Sequence, residues 1–177
     1  MSNTIILDFE AYQIGSTFYP VEIAALNATT SQCLLMHVGH VKPDEAAAAT
    51  HLHHQHARHG LGWSDGQWSM ASAVFRLCKF IHPLDVVLVK GEQKLEQCRS
   101  WLHWGQLLKL IDIPATMQEV IALAPIDDFN CMVHRVAAKY SSSSSSDDSG
   151  TPVEWCSHRK THALHLYMVQ HGLLMNA

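Results

Sequence analysis

The spacing of apolar and polar residues changes along the chain, and in the first forty residues it is typical of β-strands. Apolar runs at 4–9, 18–28 and 32–41 are bounded by turn-forming residues, which predicts three consecutive strands. The connections at 10–17 and 29–31 are short. Neighbouring strands are therefore expected to pair as an antiparallel meander.

Helical spacing replaces the strand period after residue 43. It predicts helices at about 44–57, 66–81, 92–104, 116–123, 127–139 and 158–174. The continuous apolar run at 85–90, between two helical stretches, is typical of a parallel strand that is buried on both faces, and a further short strand is predicted at 109–113. Three antiparallel strands followed by parallel strands with crossover helices predict an α/β domain with a mixed sheet flanked by helices. This element order is that of the RNase H-like fold.

Composition indicates one folded domain over residues 1–177. Apolar residues make up 47% of the chain and charged residues 16%, which is a globular balance. A serine-rich segment at 141–151 is expected to form a flexible loop before the C-terminal helix. The five cysteines form no CxxC pair, and neither a signal-like N-terminus nor a membrane-length apolar run occurs. We expect an intracellular protein that has no disulfides and is not bound to membranes.

Two carboxylates close the first strand. Asp8 and Glu10 lie two residues apart, so their side chains are expected on the same side of the sheet. Paired hard oxygen ligands at a strand end are suited to Mg²⁺ or Mn²⁺. Such ions could support phosphodiester hydrolysis. The alternative is that both are solvated charges where the strand leaves the sheet.

Histidine is unusually frequent, with 14 in the chain. His158 and His162 are one helical turn apart, so their rings can converge on one zinc ion. Glu22, inside the apolar run PVEIAAL, and His59, beside Gly60, are suitable further ligands. A buried carboxylate at position 22 would need a metal or a strong donor. If Glu22 instead points outwards, it needs neither.

The segment Asp-Phe-Glu at 8–10 resembles the first motif of the DEDDh exonuclease superfamily, whose acidic residues bind catalytic metal. The resemblance implies further acids after the fourth strand and on the last helix. The chain has KGEQK at the first position and no matching aspartate at the second. In an active 3′-5′ exonuclease, the missing acids would be supplied from Glu92, Glu96, Asp127 and Asp128. Of these, Glu92 is the first candidate catalytic residue.

Five segments resemble the Maelstrom domain, an RNase H-like relative that lost the exonuclease acids. They are PVEIA at 20–24, HARHGLGW at 56–63, FIHP at 80–83, KGEQK at 90–94 and the segment 156–164. The resemblance implies a structural zinc ion bound by Glu22, His59, His158 and His162, with Cys156 as the alternative thiolate. It also implies binding or processing of single-stranded RNA in small-RNA silencing of transposons. Protein partners of a silencing complex, and a cytoplasmic, perinuclear or nuclear location, would accompany that role.

Charge gives only local support for an RNA partner, because the net charge is −4. A basic patch would require the fold to gather residues that are scattered in sequence. These are Lys90, Lys94, Arg99, Lys109, Arg135, Lys139, Arg159 and Lys160. If they stay scattered, the alternative is a non-catalytic scaffold whose surface binds another protein.

Overall fold

A long hairpin begins the fold in the computed structural model, which describes residues 2–44, 60–102, 107–111, 115–123 and 156–174. Strands β1 (Thr4–Ile14) and β2 (Thr17–Asn27) are antiparallel. Gly15, with a φ of 59°, allows the tight turn between them. β1 continues five residues beyond its predicted end. One reason is Tyr12, which is buried and donates a hydrogen bond to the Leu61 carbonyl at 2.6 Å.

Three shorter strands complete a five-stranded mixed sheet. They are β3 (Cys33–His37), β4 (Val86–Val89) and β5 (Leu107–Leu110), and the spatial order is β3-β2-β1-β4-β5. The pairs β1–β2 and β2–β3 are antiparallel, whereas β1–β4 and β4–β5 are parallel. The predicted α/β class with a mixed sheet is confirmed, although β5 begins two residues earlier than expected.

Four helices are described. They are α1 (Met70–Phe80), α2 (Glu92–Trp101), α3 (Met117–Ile121) and α4 (Ser157–Gln170). Each lies within one of the predicted helical regions or begins one residue from it. The predicted helices at 44–57 and 127–139, and the serine-rich segment, lie outside the described residues. Within the described ranges, no helix is both long and apolar enough to cross a bilayer.

The sheet separates two apolar clusters. Ile5, Leu7 and Phe9 of β1 pack in the cluster that contains residues of α1 and α2. Ile6 packs in the other cluster, with residues of α3 and α4. Because side chains alternate along a strand, Asp8 and Glu10 face the same side as Ile6, towards α4.

The carboxylates lie where the parallel part of the sheet ends. The pairing of β1 with β4 stops at Leu7 and Val89, so Asp8 and Glu10 extend beyond it. An irregularity in register follows Glu10, which lies directly opposite Glu22 on β2. Gly91, with a φ of 97°, reverses the chain between β4 and α2. The first turn of α2 therefore lies close to the end of β1.

Candidate functional site

Asp8 and Glu10 lie together and contact two lysine side chains. Lys94 Nζ is 2.6 Å from Asp8 Oδ1 and 3.5 Å from Glu10 Oε1, and it also donates to the Phe9 carbonyl at 2.5 Å. Lys160, from α4, donates to Glu10 Oε1, and its Nζ is 3.7 Å from Asp8 Oδ2. These four side chains form a cluster of two negative and two positive charges, named here the acid–lysine cluster.

Burial makes this charge balance necessary. Asp8 and Lys160 are 1% and 2% exposed, respectively, and an isolated charge would be strongly disfavoured at such depth. Burial raises the pKa of Asp8, but the ammonium groups of Lys94 and Lys160 outweigh it and hold that pKa below its ordinary value. Burial lowers the pKa of Lys160, and the Asp8 carboxylate offsets only part of this change. The Asp8 carboxylate is therefore held ionised by the protein's own cations.

Glu22 is fully buried beside this cluster and is bound by protein donors. Its Oε2 accepts a hydrogen bond from the Ser157 backbone N–H at 2.7 Å, and the Cys156 thiol donates to Oε1 at 3.3 Å. His37 Nε2 lies 3.2 Å from the same Oε1. The carboxylate thus binds the first N–H group of α4, where a negative charge is also favoured by the helix dipole.

The two helix histidines group with a cysteine that was not among the expected ligands. Within the described ranges, Cys33, His158 and His162 form the group of metal-binding residue types whose ligand atoms all lie within 4.8 Å of one another. The ring centroids of His158 and His162 are 4.9 Å apart. Cys33 reaches this group because it pairs with Leu26, which places it on the sheet face that packs against α4.

This group fits zinc in donor type. Two imidazoles and a thiolate are common zinc ligands, and the ligand atoms of a tetrahedral zinc lie about 3.3–3.8 Å apart. A contraction of about 1 Å would therefore bring the three atoms to coordination distance, leaving one position for a fourth ligand. Burial, followed by His158 and His165, lowers the pKa of His162 to about 4, so its ring is neutral at pH 7. Burial and the Glu22 carboxylate raise the pKa of Cys33 to about 12, so a bound cation would have to displace the thiol proton.

The residues expected at one zinc site are thus divided. Glu22 and Cys156 contact each other, whereas His158 and His162 group with Cys33. The fourth expected ligand, His59, lies outside the described residues.

Among the described residues, the side chains that pair with Asp8 and Glu10 are Lys94 and Lys160, and the expected additional acids are found elsewhere. Glu92 is exposed at the start of α2 and lines a shallow surface groove with Glu96. Glu96 pairs with Arg99 at 2.7 Å. Lys94, two residues after Glu92, makes the contact with Asp8 instead. Asp127 and Asp128 lie outside the described residues.

Sequence reasoning considered Lys94 and Lys160 only as members of a basic patch and not as partners of the carboxylates, and it missed His37 and Cys33. A signal for the lysines was present, since carboxylates that end an apolar strand require buried cations. Lys94 occupies the segment where the exonuclease motif would have an acid. Cys33 could be found only from the register of β3 against β2, which the sequence does not specify.

Neither a scan against protein-family models nor a search of curated proteins found a match to this chain.

Proposed function

We propose that this protein is an RNase H-like domain that binds single-stranded RNA without two-metal cleavage and is stabilised by zinc. The acid–lysine cluster is the observation that carries the non-catalytic part of this proposal. Support for the fold comes from the sheet, whose order and strand directions are those expected of an RNase H-like domain.

Two-metal hydrolysis requires divalent cations that activate water and stabilise the leaving oxygen. Lys94 and Lys160 already neutralise the carboxylates that would bind such ions. An ammonium group supplies positive charge but has no vacant coordination position for water or phosphate. To admit metal, Asp8 and Glu10 would have to release both lysines, one of which is fully buried.

RNA is proposed as the ligand because of the resemblance to Maelstrom domains in five segments spread along the chain. The same resemblance supports a place in small-RNA silencing, with protein partners and an intracellular location. The acid–lysine cluster gives Asp8 and Glu10 a structural role that does not require catalysis. Through Lys94 and Lys160, the two carboxylates bind α2 and α4 to the end of β1.

Zinc is proposed at Cys33, His158 and His162, because these donors converge. Bound there, the ion would attach α4 to β3, the strand at the edge of the sheet. The ion would stabilise the folded state, because its ligands are more than a hundred residues apart in sequence and come together only when the chain folds.

The retained carboxylate pair favours one second candidate, a divalent-metal-dependent exonuclease. A single experiment separates the two functions. Labelled single-stranded oligouridine is incubated with purified protein in Mg²⁺ or Mn²⁺, and both binding and cleavage are measured. The compared proteins are wild type, Asp8→Asn/Glu10→Gln and the exposed-acid control Asp44→Asn.

The expected result is salt-dependent binding by all three proteins, with no cleavage. Cleavage by wild type and the control, but not by the double variant while it remains folded, would establish the exonuclease instead. An absence of both binding and cleavage in wild type would remove the RNA function and favour the protein scaffold.

A further inference from the structure

A groove beside α1 is lined by a half-buried tryptophan, an exposed phenylalanine and two exposed cationic side chains. Its volume is about 550 Å³, and it is lined by Trp68, Ala71, Ser72, Phe75, Arg76 and Lys79. The small residues at 71 and 72 leave open space between the aromatic side chains of Trp68 and Phe75. We name this region the α1 groove.

Phe75 is the most informative residue of the groove. It is 60% exposed, although it lies on a helix that otherwise buries apolar side chains such as Ala73 and Leu77. A second, more apolar groove of about 480 Å³ lies on its other side, with Val74, Cys78 and Trp101 among its lining residues. The Phe75 ring therefore stands as a ridge between two open spaces.

A cationic side chain lies over each of the two aromatic rings. The guanidinium carbon of Arg76 lies 3.6 Å from the ring centroid of Trp68, and Lys79 Nζ lies 4.6 Å from that of Phe75. Stacked guanidinium and ammonium groups keep their charge available to an anion above the ring. Both residues are exposed, so no burial cost opposes a contact with phosphate.

The charge of this face contrasts with that of the whole chain. Between Met70 and Phe80 the sequence has two basic residues and no acidic residue, whereas the net charge of the chain is −4. Three basic residues considered from sequence are used elsewhere: Lys94 contacts Asp8, and Arg159 and Lys160 are buried. Arg76 and Lys79 are therefore a better source of phosphate contacts.

We infer that the α1 groove binds single-stranded RNA, with a base stacked on Phe75 and phosphates contacting Arg76 and Lys79. The inference rests on the proposed RNA-binding function and assigns it to a surface. Alternating stacking platforms and cations are the features by which proteins bind single strands without reading their sequence. The acid–lysine cluster has no part in this contact.

The test measures the affinity of labelled oligouridine over a series of salt concentrations. Phe75→Leu removes the stacking platform, Phe75→Trp restores it, and Arg76→Ala/Lys79→Ala removes the two cations. Leu84→Ala is the control for an exposed apolar residue, and Lys42→Ala is the control for an exposed cation that lies outside the groove. Circular dichroism checks that each variant keeps α1.

The two kinds of variant should differ in salt dependence. Phe75→Leu should weaken binding about 5- to 100-fold with an unchanged slope of log affinity against log salt, and Phe75→Trp should recover the affinity. Arg76→Ala/Lys79→Ala should lower that slope by about 1.4, which corresponds to two phosphate contacts on a single strand. Both controls should behave as wild type.

Two results would overturn the inference. If wild type binds RNA and all groove variants bind as tightly as wild type, the groove is excluded while the proposed RNA function stands. If Phe75→Leu has no effect, and Lys42→Ala weakens binding as much per cation removed as Arg76→Ala/Lys79→Ala does, the attraction is a diffuse surface charge and the groove is likewise excluded. No binding by wild type would instead end the proposed function itself, and the groove assignment with it.

Discussion

The acid–lysine cluster makes one quantitative prediction, which is tested by replacing Lys160 with methionine. In the native cluster the two carboxylates and two ammonium groups sum to zero charge. Lys160→Met keeps most of the side-chain volume but leaves two carboxylates facing Lys94 alone. The variant therefore has one uncompensated negative charge on Asp8 and Glu10, which are only 1% and 8% exposed.

The magnitude follows from the depth and the distances of the lost contacts. At an effective dielectric constant of about 20, two charges 4 Å apart interact by about 4 kcal/mol. Lys160 Nζ lies 3.7 Å from Asp8 Oδ2 and contacts Glu10 directly. Release of the buried ammonium group offsets part of this loss, and breaking a buried pair costs about 3–5 kcal/mol overall. For a chain of 177 residues, this corresponds to a fall in Tm of roughly 6–20 °C.

Urea unfolding at pH 7, followed by circular dichroism with zinc present, measures the change. The double variant Lys160→Met/Glu10→Gln removes one charge of each sign, and we expect it to be about 1–3 kcal/mol more stable than Lys160→Met alone. The exposed-lysine control, Lys42→Met, should lie within about 0.5 kcal/mol of wild type. A loss below about 1 kcal/mol in Lys160→Met, or equal stability of the single and double variants, would refute the reasoning.

Three further predictions concern the other buried groups. Elemental analysis should find about one zinc per chain in wild type and in Cys156→Ala, but none in Cys33→Ala; the reverse pattern would move the metal towards Glu22. Asp8 has a lowered pKa in the fold, so the stability advantage of wild type over Asp8→Asn should be constant from about pH 5 to 7. It should be lost below the ordinary value of 3.8, as the pH falls through the folded pKa, and its loss already near pH 6 would contradict the assignment. Burial, followed by the Asp8 carboxylate, raises the pKa of Cys98 to about 12, so iodoacetamide at pH 8 should label it only in urea; equal labelling of folded protein by mass spectrometry would disprove this.

The periodic pattern predicted the framework of this fold because it reports burial directly. Runs of apolar residues marked all five strands, and the continuous run at 85–90 correctly indicated a parallel strand with neighbours on both sides. The first strand was underestimated because Gln13, a polar residue, was interpreted as part of a turn. Cross-strand pairing of Gln13 with Phe18 keeps it in the hairpin.

The candidate site was predicted less completely, because its partners are chosen by tertiary geometry. The shared face of Asp8 and Glu10 followed from their spacing in the strand, but the direction of Lys94 depends on how Gly91 turns the chain into α2. Lys160 occurs in a run of polar residues, and only the docking of α4 shows that it points inwards. Cys33 gave no signal at all as a lone cysteine.

The phase of α4 links two sets of contacts that are otherwise independent. Ser157 and Lys160 bind the buried carboxylates, while His158 and His162 group with Cys33. All four residues lie in the first two turns of α4. The serine-rich segment at 141–151 is expected from the sequence to be a loop, and an extra residue in a loop costs little, since doubling a loop's length costs about 0.6 kcal/mol. An extra residue between Ser157 and His158 would rotate the rest of the helix by about 100° relative to Ser157 and separate both sets from their partners. We therefore expect related chains to vary freely in length before α4 but to preserve the spacing within it.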